Sequence, residues 1–315
     1  MATMKTLNGY GFNATELNGK VASDYLQKTD TASDSAKLGG KAPEYYIQPR
    51  NLLDNSDFRN PVNQRGYEGV DNKYMYPIDR WQFDKSTDSA ASAGYDSTNK
   101  YIWIINTNAA YADIHQKIEP KALKNGVYTL AVKQRLFGGM TLVVYSDNTK
   151  VAEKLVSPNS SDPIALVNFT LNAVPSTALT VYLYTATGNT VAFEWAALYE
   201  GSYTADTLPP YVSKGYAAEL AECQWYYRRG GQAVTIGKLY SGGGIFSLYF
   251  PKMRTYPTIN ILEISSQGWG NVDASNYTQG WGDDYGCEHY RNFTSSITDD
   301  VGKTVIVKYE CSADL

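Results

Sequence analysis

Long apolar runs are missing from this chain of 315 residues. No stretch approaches the roughly 18 consecutive apolar residues of a membrane-spanning helix, so membrane insertion is not expected. The opening MATMKTLNGYGFN likewise has no apolar core of a secretory leader. Charge of one sign is not in excess: 28 Lys and Arg face 32 Asp and Glu, for a net charge of -4. That balance leaves out the basic patch a nucleic-acid binder carries. Cysteine is scarce, with Cys223, Cys287 and Cys311 in no metal-like spacing. Their odd number argues against a disulfide framework and for folding in a reducing compartment.

Catalytic vocabulary is equally thin. Histidine occurs twice, at His115 and His289, and no GxSxG elbow, phosphate loop or dinucleotide fingerprint is present. Cys287 and His289 would share a face of a strand, but one such pair does not make a site. A glycan-cleaving protein needs two carboxyl groups about 5–9.5 Å apart. Asp283 and Asp284 are adjacent, and neighbours in an extended segment point oppositely. The expectation is therefore a protein that is not an enzyme, with a glycan depolymerase as the enzymatic alternative.

What the sequence does have is aromatic residues, 27 Tyr and 6 Trp, together with 26 Gly. Tyrosine offers apolar area and a hydrogen-bonding tip at small entropy cost, which suits polar ligands and interfaces as well as β positions. There is also repetition. ELNGKVASDYLQ at 16–27 returns as KLGGKAPEYYIQ at 37–48, and TLNG at 6–9 repeats the opening of the unit. Such a unit buries too little apolar surface to fold alone and becomes ordered usefully on copies of itself or on neighbouring chains. Residues 1–48 are thus read as attachment and oligomerisation repeats, with Leu17, Tyr25, Leu38 and Tyr46 against neighbouring chains.

The remainder reads as mainly β. Residues 51–203 hold apolar or alternating runs at 101–106, 125–136, 140–147, 164–171, 179–186 and 191–201, parted by turn clusters, as in a jelly-roll-like β-sandwich. Trp81 and Trp195 belong to its core. Residues 208–315 read as a smaller β domain opened by one helix. Tyr216, Leu220, Cys223 and Tyr227 fall at helical spacing, with Ser213 as cap. Strands follow at 233–240, 245–251, 258–265 and 303–313, and residues 266–302 read as a long loop, of a length that is usually functional or disordered.

These segments resemble those of bacteriophage tail fibres. The LNGK and LGGKAPEYY repeats are similar to N-terminal or shaft repeats of such fibres. NLLDNSDFRNPVNQRGY followed by YPIDRW resembles the start of a carbohydrate-binding-like jelly roll found in them. YVSKGYAAELAECQWYYRR and FPKMRTYPT resemble a helix and a strand motif of a small C-terminal domain in the same proteins. The chain departs from that pattern at Trp225, where Arg is common. The resemblance implies a homotrimeric receptor-binding protein of the virion tail, made in the bacterial cytoplasm. Its expected partners are other tail or baseplate proteins at the N-terminal region and a bacterial cell-surface glycan. An infectious phage and a phage-derived bacteriocin both fit, and a structural shaft or collar protein is a further alternative. No cofactor is expected beyond a structural calcium. Related jelly rolls hold one near the first strand, where Asn55, Asp57 and Glu194 could supply oxygens; capping and turn roles compete for these residues.

Two stretches carry candidate glycan contacts. In 266–290, QGWGN and QGWGD echo each other twelve residues apart, and seven acids face one Arg between 262 and 300. Trp269, Tyr277, Trp281, Asp283, Asp284 and Tyr285 would stack on sugar rings and pair with hydroxyls. The competing reading is a hairpin whose two tryptophans pack on each other. The second patch is Tyr101, Trp103, Tyr111 and His115. If Ile102 and Ile104 face the core, Tyr101 and Trp103 face outward.

Overall fold

Alternation of apolar and polar side chains organises most of this molecule into antiparallel strands. The computed structural model describes residues 16–17, 20–21, 49–86, 90–136, 138–158, 163–238, 244–265, 278–283, 286–291 and 304–314. Chain contacts define one unit of Met1–Pro49 with Asp206–Pro210, and a second of Arg50–Ala205 with Tyr211–Leu315. In the first unit, β1 (Glu16–Leu17) and β2 (Lys20–Val21) pair antiparallel, Leu17 opposite Lys20. Asn18-Gly19 separates them in sequence, the dipeptide most suited to a two-residue hairpin connection.

The second unit begins with a β-sandwich. Its strands are β3 (Gly69–Val70), β4 (Gln82–Lys85), β5 (Ala91–Asp96), β6 (Tyr101–Asn106), β7 (Ala112–Ile118), β8 (Gly126–Leu136), β9 (Met140–Ser146), β10 (Thr149–Val156), β11 (Ile164–Leu171), β12 (Leu179–Thr185) and β13 (Asn189–Glu200). One sheet runs β10-β9-β12-β7-β4, the other β11-β8-β13-β6-β5-β3. Side chains of alternate residues fill the space between them, among them Ile102 and Ile104 of β6, Ile114 of β7, and Val181 and Leu183 of β12. Trp81 is fully buried in that core. Its indole N–H donates to the carbonyl of Asn55, 3.0 Å away. Trp195 is buried as well, and the ring of Tyr211 stacks on it at 4.8 Å.

Beyond the sandwich come α1 (Tyr216–Cys223), β14 (Tyr227–Thr235), β15 (Gly237–Lys238), β16 (Gly244–Tyr249), β17 (Thr258–Ser265), β18 (Thr278–Asp283), β19 (Gly286–Arg291) and β20 (Thr304–Ser312). They form a three-stranded sheet, β14-β20-β17, and a four-stranded one, β15-β16-β19-β18. A second apolar core gathers Phe246, Leu248, Met253, Ile264, Val307 and Cys311, among others.

Three sequence expectations are corrected here. The helix stops at Cys223, and Tyr227 opens β14, because the chain turns through Trp225 N–H to Glu222 O and Tyr226 N–H to Cys223 O. Its cap position is Gly215, at φ 84°, while Ser213 only accepts the Gly215 N–H. The stretch expected as a long loop contains β18 and β19, which ladder with each other and with β16.

A helix of eight residues is marginal on its own, so packing must hold it. Glu219 is buried and accepts the Asn55 backbone N–H. Lys214 reaches Glu222 at 2.6 Å and Asp54 at 3.6 Å. Arg65 pairs with Asp79 at 3.2 Å and Asp314 at 2.5 Å, and lies over the rings of Tyr76 and Tyr227. No described helix is long and apolar enough to cross a membrane.

Candidate functional site

The five-stranded sheet turns one face to the core and the other outward. On β12 the sequence LTVYLYT sends Leu179, Val181 and Leu183 inward, which leaves Thr180, Tyr182 and Tyr184 on the outer face. Register then fixes their neighbours. Tyr182 lies opposite His115 of β7 and Val143 of β9, and Tyr184 lies opposite Asp113 and Thr141. Thr180 lies opposite Tyr145.

The rings meet. Tyr182 and Tyr184 stack at 5.3 Å between centroids with planes 10° apart. Tyr111 meets Tyr184 edge-on at 6.1 Å, and Tyr145 meets Tyr182 edge-on at 5.6 Å. The imidazole of His115 lies 4.8 Å from Tyr182. Beside the rings is an open hollow of about 350 Å³ lined by Tyr111, Thr141, Tyr145, Lys150, Glu153 and Tyr184.

A chain of polar groups supports this face from β7 and β4. The Nδ1 of His115 is 2.8 Å from Asp113, and its Nε2 is 3.1 Å from the Gln82 side-chain oxygen. Asp113 is only 1 % exposed. Burial pushes its carboxyl up to about 6, with the His115 hydrogen bond working against that rise. Its carboxyl is thus a brace for the imidazole rather than a group offered to a ligand. Burial also raises the phenols of Tyr182 and Tyr184, which keeps both neutral across the physiological range. Lys150 pairs with Glu153 at 2.5 Å on the rim. The face therefore offers neutral aromatic rings and hydroxyls, bordered by charged and amide groups. It suits a ligand that alternates C–H surfaces with hydroxyls.

The second predicted patch divides between two surfaces. Tyr111 and His115 belong to the tyrosine face. Tyr101 and Trp103 lie on β6 of the other sheet, pointing outward because Ile102 and Ile104 fill the core. The indole of Trp103 rests over Gly94, where a Cβ would come within 2.4 Å of the ring. The four residues accordingly do not form one patch. Tyr145, Tyr182 and Tyr184 were not singled out from the sequence, although alternation in LTVYLYT carried the signal for two of them.

In the C-terminal stretch, Trp281 stands in β18 and Asp283 ends it, exposed. Trp269, Tyr277, Asp284 and Tyr285 lie outside the described residues, as do Tyr25, Leu38 and Tyr46; Leu17 is in β1.

The calcium candidates do not fit an ion, because their oxygens already have partners. Asn55 Oδ1 accepts the Val62 N–H, and its amide donates to the carbonyls of Val62 and Asp79. Asp57 takes the guanidinium of Arg59 with both oxygens. Glu194 pairs with Lys133 at 2.8 Å and Arg135 at 3.5 Å. Among the described residues no group of three or more His, Cys, Asp or Glu side chains could hold a metal ion.

No protein-family model matches the chain, and no curated protein matches it. Solved structures give distant likenesses. A cyclase from Fischerella sp. TAU is 13 % identical over 50 % of this chain and 100 % of its own, with a TM-score of 0.31. The CBM22-1 xylan-binding domain of Paenibacillus barcinonensis Xyn10C is 13 % identical over 50 % and 97 %, with a TM-score of 0.30. The enzymatically active domain of bacteriophage CBA120 tailspike protein 4 is 10 % identical over 47 % and 23 %, with a TM-score of 0.32. Likenesses of this size say nothing of what this chain binds.

Proposed function

We propose that this protein binds a saccharide, without turning it over, through the tyrosine face of its five-stranded sheet. The observation that carries the reading is the contiguous set of Tyr111, Tyr145, Tyr182 and Tyr184 on an outward face beside an open hollow. Aromatic rings accept the C–H faces of sugar rings, and phenols, Lys150 and Glu153 can pair with hydroxyls. Such contacts are individually weak, so multivalent presentation would raise avidity. The repeats at 16–27 and 37–48 suit that task, and with the motif resemblance they support a tail-fibre adhesin attaching a virion to a bacterial surface glycan.

Screening the protein against a glycan array and against whole bacterial cells tests this reading. The double change Tyr182→Ala with Tyr184→Ala is expected to abolish retention while the sandwich keeps its melting transition. Undiminished retention by the folded double variant would reject the face. Release of shortened polysaccharide products would instead identify a depolymerase.

A further inference from the structure

The polar chain behind Tyr182 is constrained at its far end. Gln82 of β4 lies opposite His115 of β7. Its amide nitrogen is 3.3 Å from the Tyr74 carbonyl and 3.3 Å from the Tyr76 hydroxyl. That carbonyl is held in place, because Tyr74 N–H donates to Phe83 O at 2.8 Å and Phe83 N–H to Met75 O at 2.7 Å. A carbonyl only accepts, so the NH2 end of the amide faces it and the oxygen end faces His115 Nε2, 3.1 Å away. Nε2 therefore carries a hydrogen.

The other ring nitrogen then has two acceptable states. Nδ1 lies 2.8 Å from Asp113 Oδ1, and both residues are buried. Either the carboxyl is protonated and donates to Nδ1, or Nδ1 is protonated and the imidazolium donates to a carboxylate. Both states hold one shared proton, which titrates with the pair rather than with either residue. Its loss sets two electron pairs against each other, Nδ1 against the carboxylate or Nε2 against the Gln82 oxygen. Relief comes when the imidazole turns or when the amide leaves Tyr74. Tyr182 stands 4.8 Å from that imidazole and touches both Tyr145 and Tyr184.

Neighbouring groups bias the proton. Burial of Asp113 is the largest influence and favours keeping it. Asp84, opposite Asp113 on β4, acts in the same sense, and Lys73, 3.6 Å from Asp84, acts against it. From β12, Tyr182 and Tyr184 face the pair with phenols raised by burial, as does Tyr76 beside Gln82. Tyr111, Tyr145 and Lys117 border the same face, with Lys150 and Glu153 at its rim.

Resting on the saccharide reading of this face, we infer that the Asp113–His115 pair is a proton-dependent support for Tyr182. It holds the tyrosine face ready for saccharide while protonated and loosens it as pH rises.

The free protein is tested first, by following the His115 ring nitrogens and the Tyr182 ring protons by NMR from pH 5 to 8. His289→Gln removes the other imidazole of the sequence. The two sets of signals are expected to change together, with one midpoint. Retention on whole bacterial cells should fall roughly tenfold over the same range, the size of one hydrogen bond to a charged group. Asp113→Asn supplies a permanent N–H to Nδ1 and should keep retention level across the range. Gln82→Ala frees Nε2 from its acceptor and should reduce the fall through a change at a half-buried position. The inference is overturned if the Tyr182 signals ignore the His115 titration, if wild-type retention is level, or if its fall persists in both variants. Absence of retention at every pH, with the coupled titration intact, instead rejects the saccharide reading and upholds the support of Tyr182.

Discussion

The guanidinium of Arg80 lies 3.4 Å from the ring centre of Tyr226, joining the sandwich to the chain that leaves α1. Arg80 is also tied to Asp54 and to the Lys117 carbonyl, and its side chain is 4 % exposed. A lysine keeps the charge but cannot lie flat on the ring while forking to two acceptors. Arg80→Lys is expected to cost about 2 kcal/mol, less than the ~3–5 kcal/mol of fully breaking a buried pair. Urea denaturation measures it, and an unchanged midpoint would show that the stack contributes little.

Glu219 makes the same junction sensitive to pH. Burial pushes its carboxyl up to about 7 from an ordinary 4.5, with Lys214 pulling the other way. The folded state therefore keeps a proton that the unfolded chain gives up near pH 4.5. Stability from this group is fully present below that pH and is lost as pH rises through 7. Asp113, pushed up to about 6, adds a loss of the same sign at lower pH. Glu219→Gln should remove the decline between about pH 6 and 7, reduce it between about 4.5 and 6, and leave the Asp113 share between about 3.8 and 6. Denaturation midpoints across pH 4–8 check this, and a wild-type slope in the variant would exclude Glu219 as its source.

On the opposite sheet, Gly94 is required by the indole above it. A Cβ there would lie 2.4 Å from Trp103 and 2.5 Å from the Glu68 carbonyl. Gly94→Ala is expected to displace Trp103 and cost about 1–3 kcal/mol, as overpacking does. A red-shifted tryptophan emission at unchanged secondary structure would report the displaced ring; identical emission would count against it.

Within the tyrosine face, Tyr184 touches both Tyr182 and Tyr111, whereas Tyr145 touches Tyr182. Removal of Tyr184 should therefore weaken saccharide binding more than removal of Tyr145. If the lost support of two aromatic contacts of ~0.5–1.5 kcal/mol each passes fully into binding, the effect is roughly 5–160-fold. Calorimetric titration of the single alanine variants ranks them, and the reverse order would contradict the geometry.

The sandwich was legible in the sequence wherever alternation was strong. YIWIIN, IALVNFTL and LTVYLYTA gave β6, β11 and β12 within a residue. ADIHQKI gives no clear strand signal, because Asp113, His115 and Gln116 are polar yet buried, which blurs the period of two. TKVAEKLV shows no clean alternation because β10 is an edge strand whose exposed residues include Leu155. Tyr227 joined the helical spacing by coincidence, since a turn can end a helix without disturbing the next apolar position. The tyrosine face is assembled from three strands distant in sequence, so only register brings its rings together.

The order of strands in the three-stranded sheet has a consequence for synthesis. β20 lies between β14 and β17, and each of these has β20 as its ladder neighbour among the described residues. Both must wait for residues 304–312, some eighty positions after β14 begins, before their backbones can be paired. The sandwich strands have at least one ladder partner nearer in sequence, such as β5 for β6 and β10 for β9, although β6 also pairs with the later β13. On the ribosome the tyrosine face is complete well before the C-terminal sheet can close. A chain arrested at residue 300 would carry a finished sandwich beside two unpaired strand edges, the kind of surface that chaperones guard and that neighbouring nascent chains can capture.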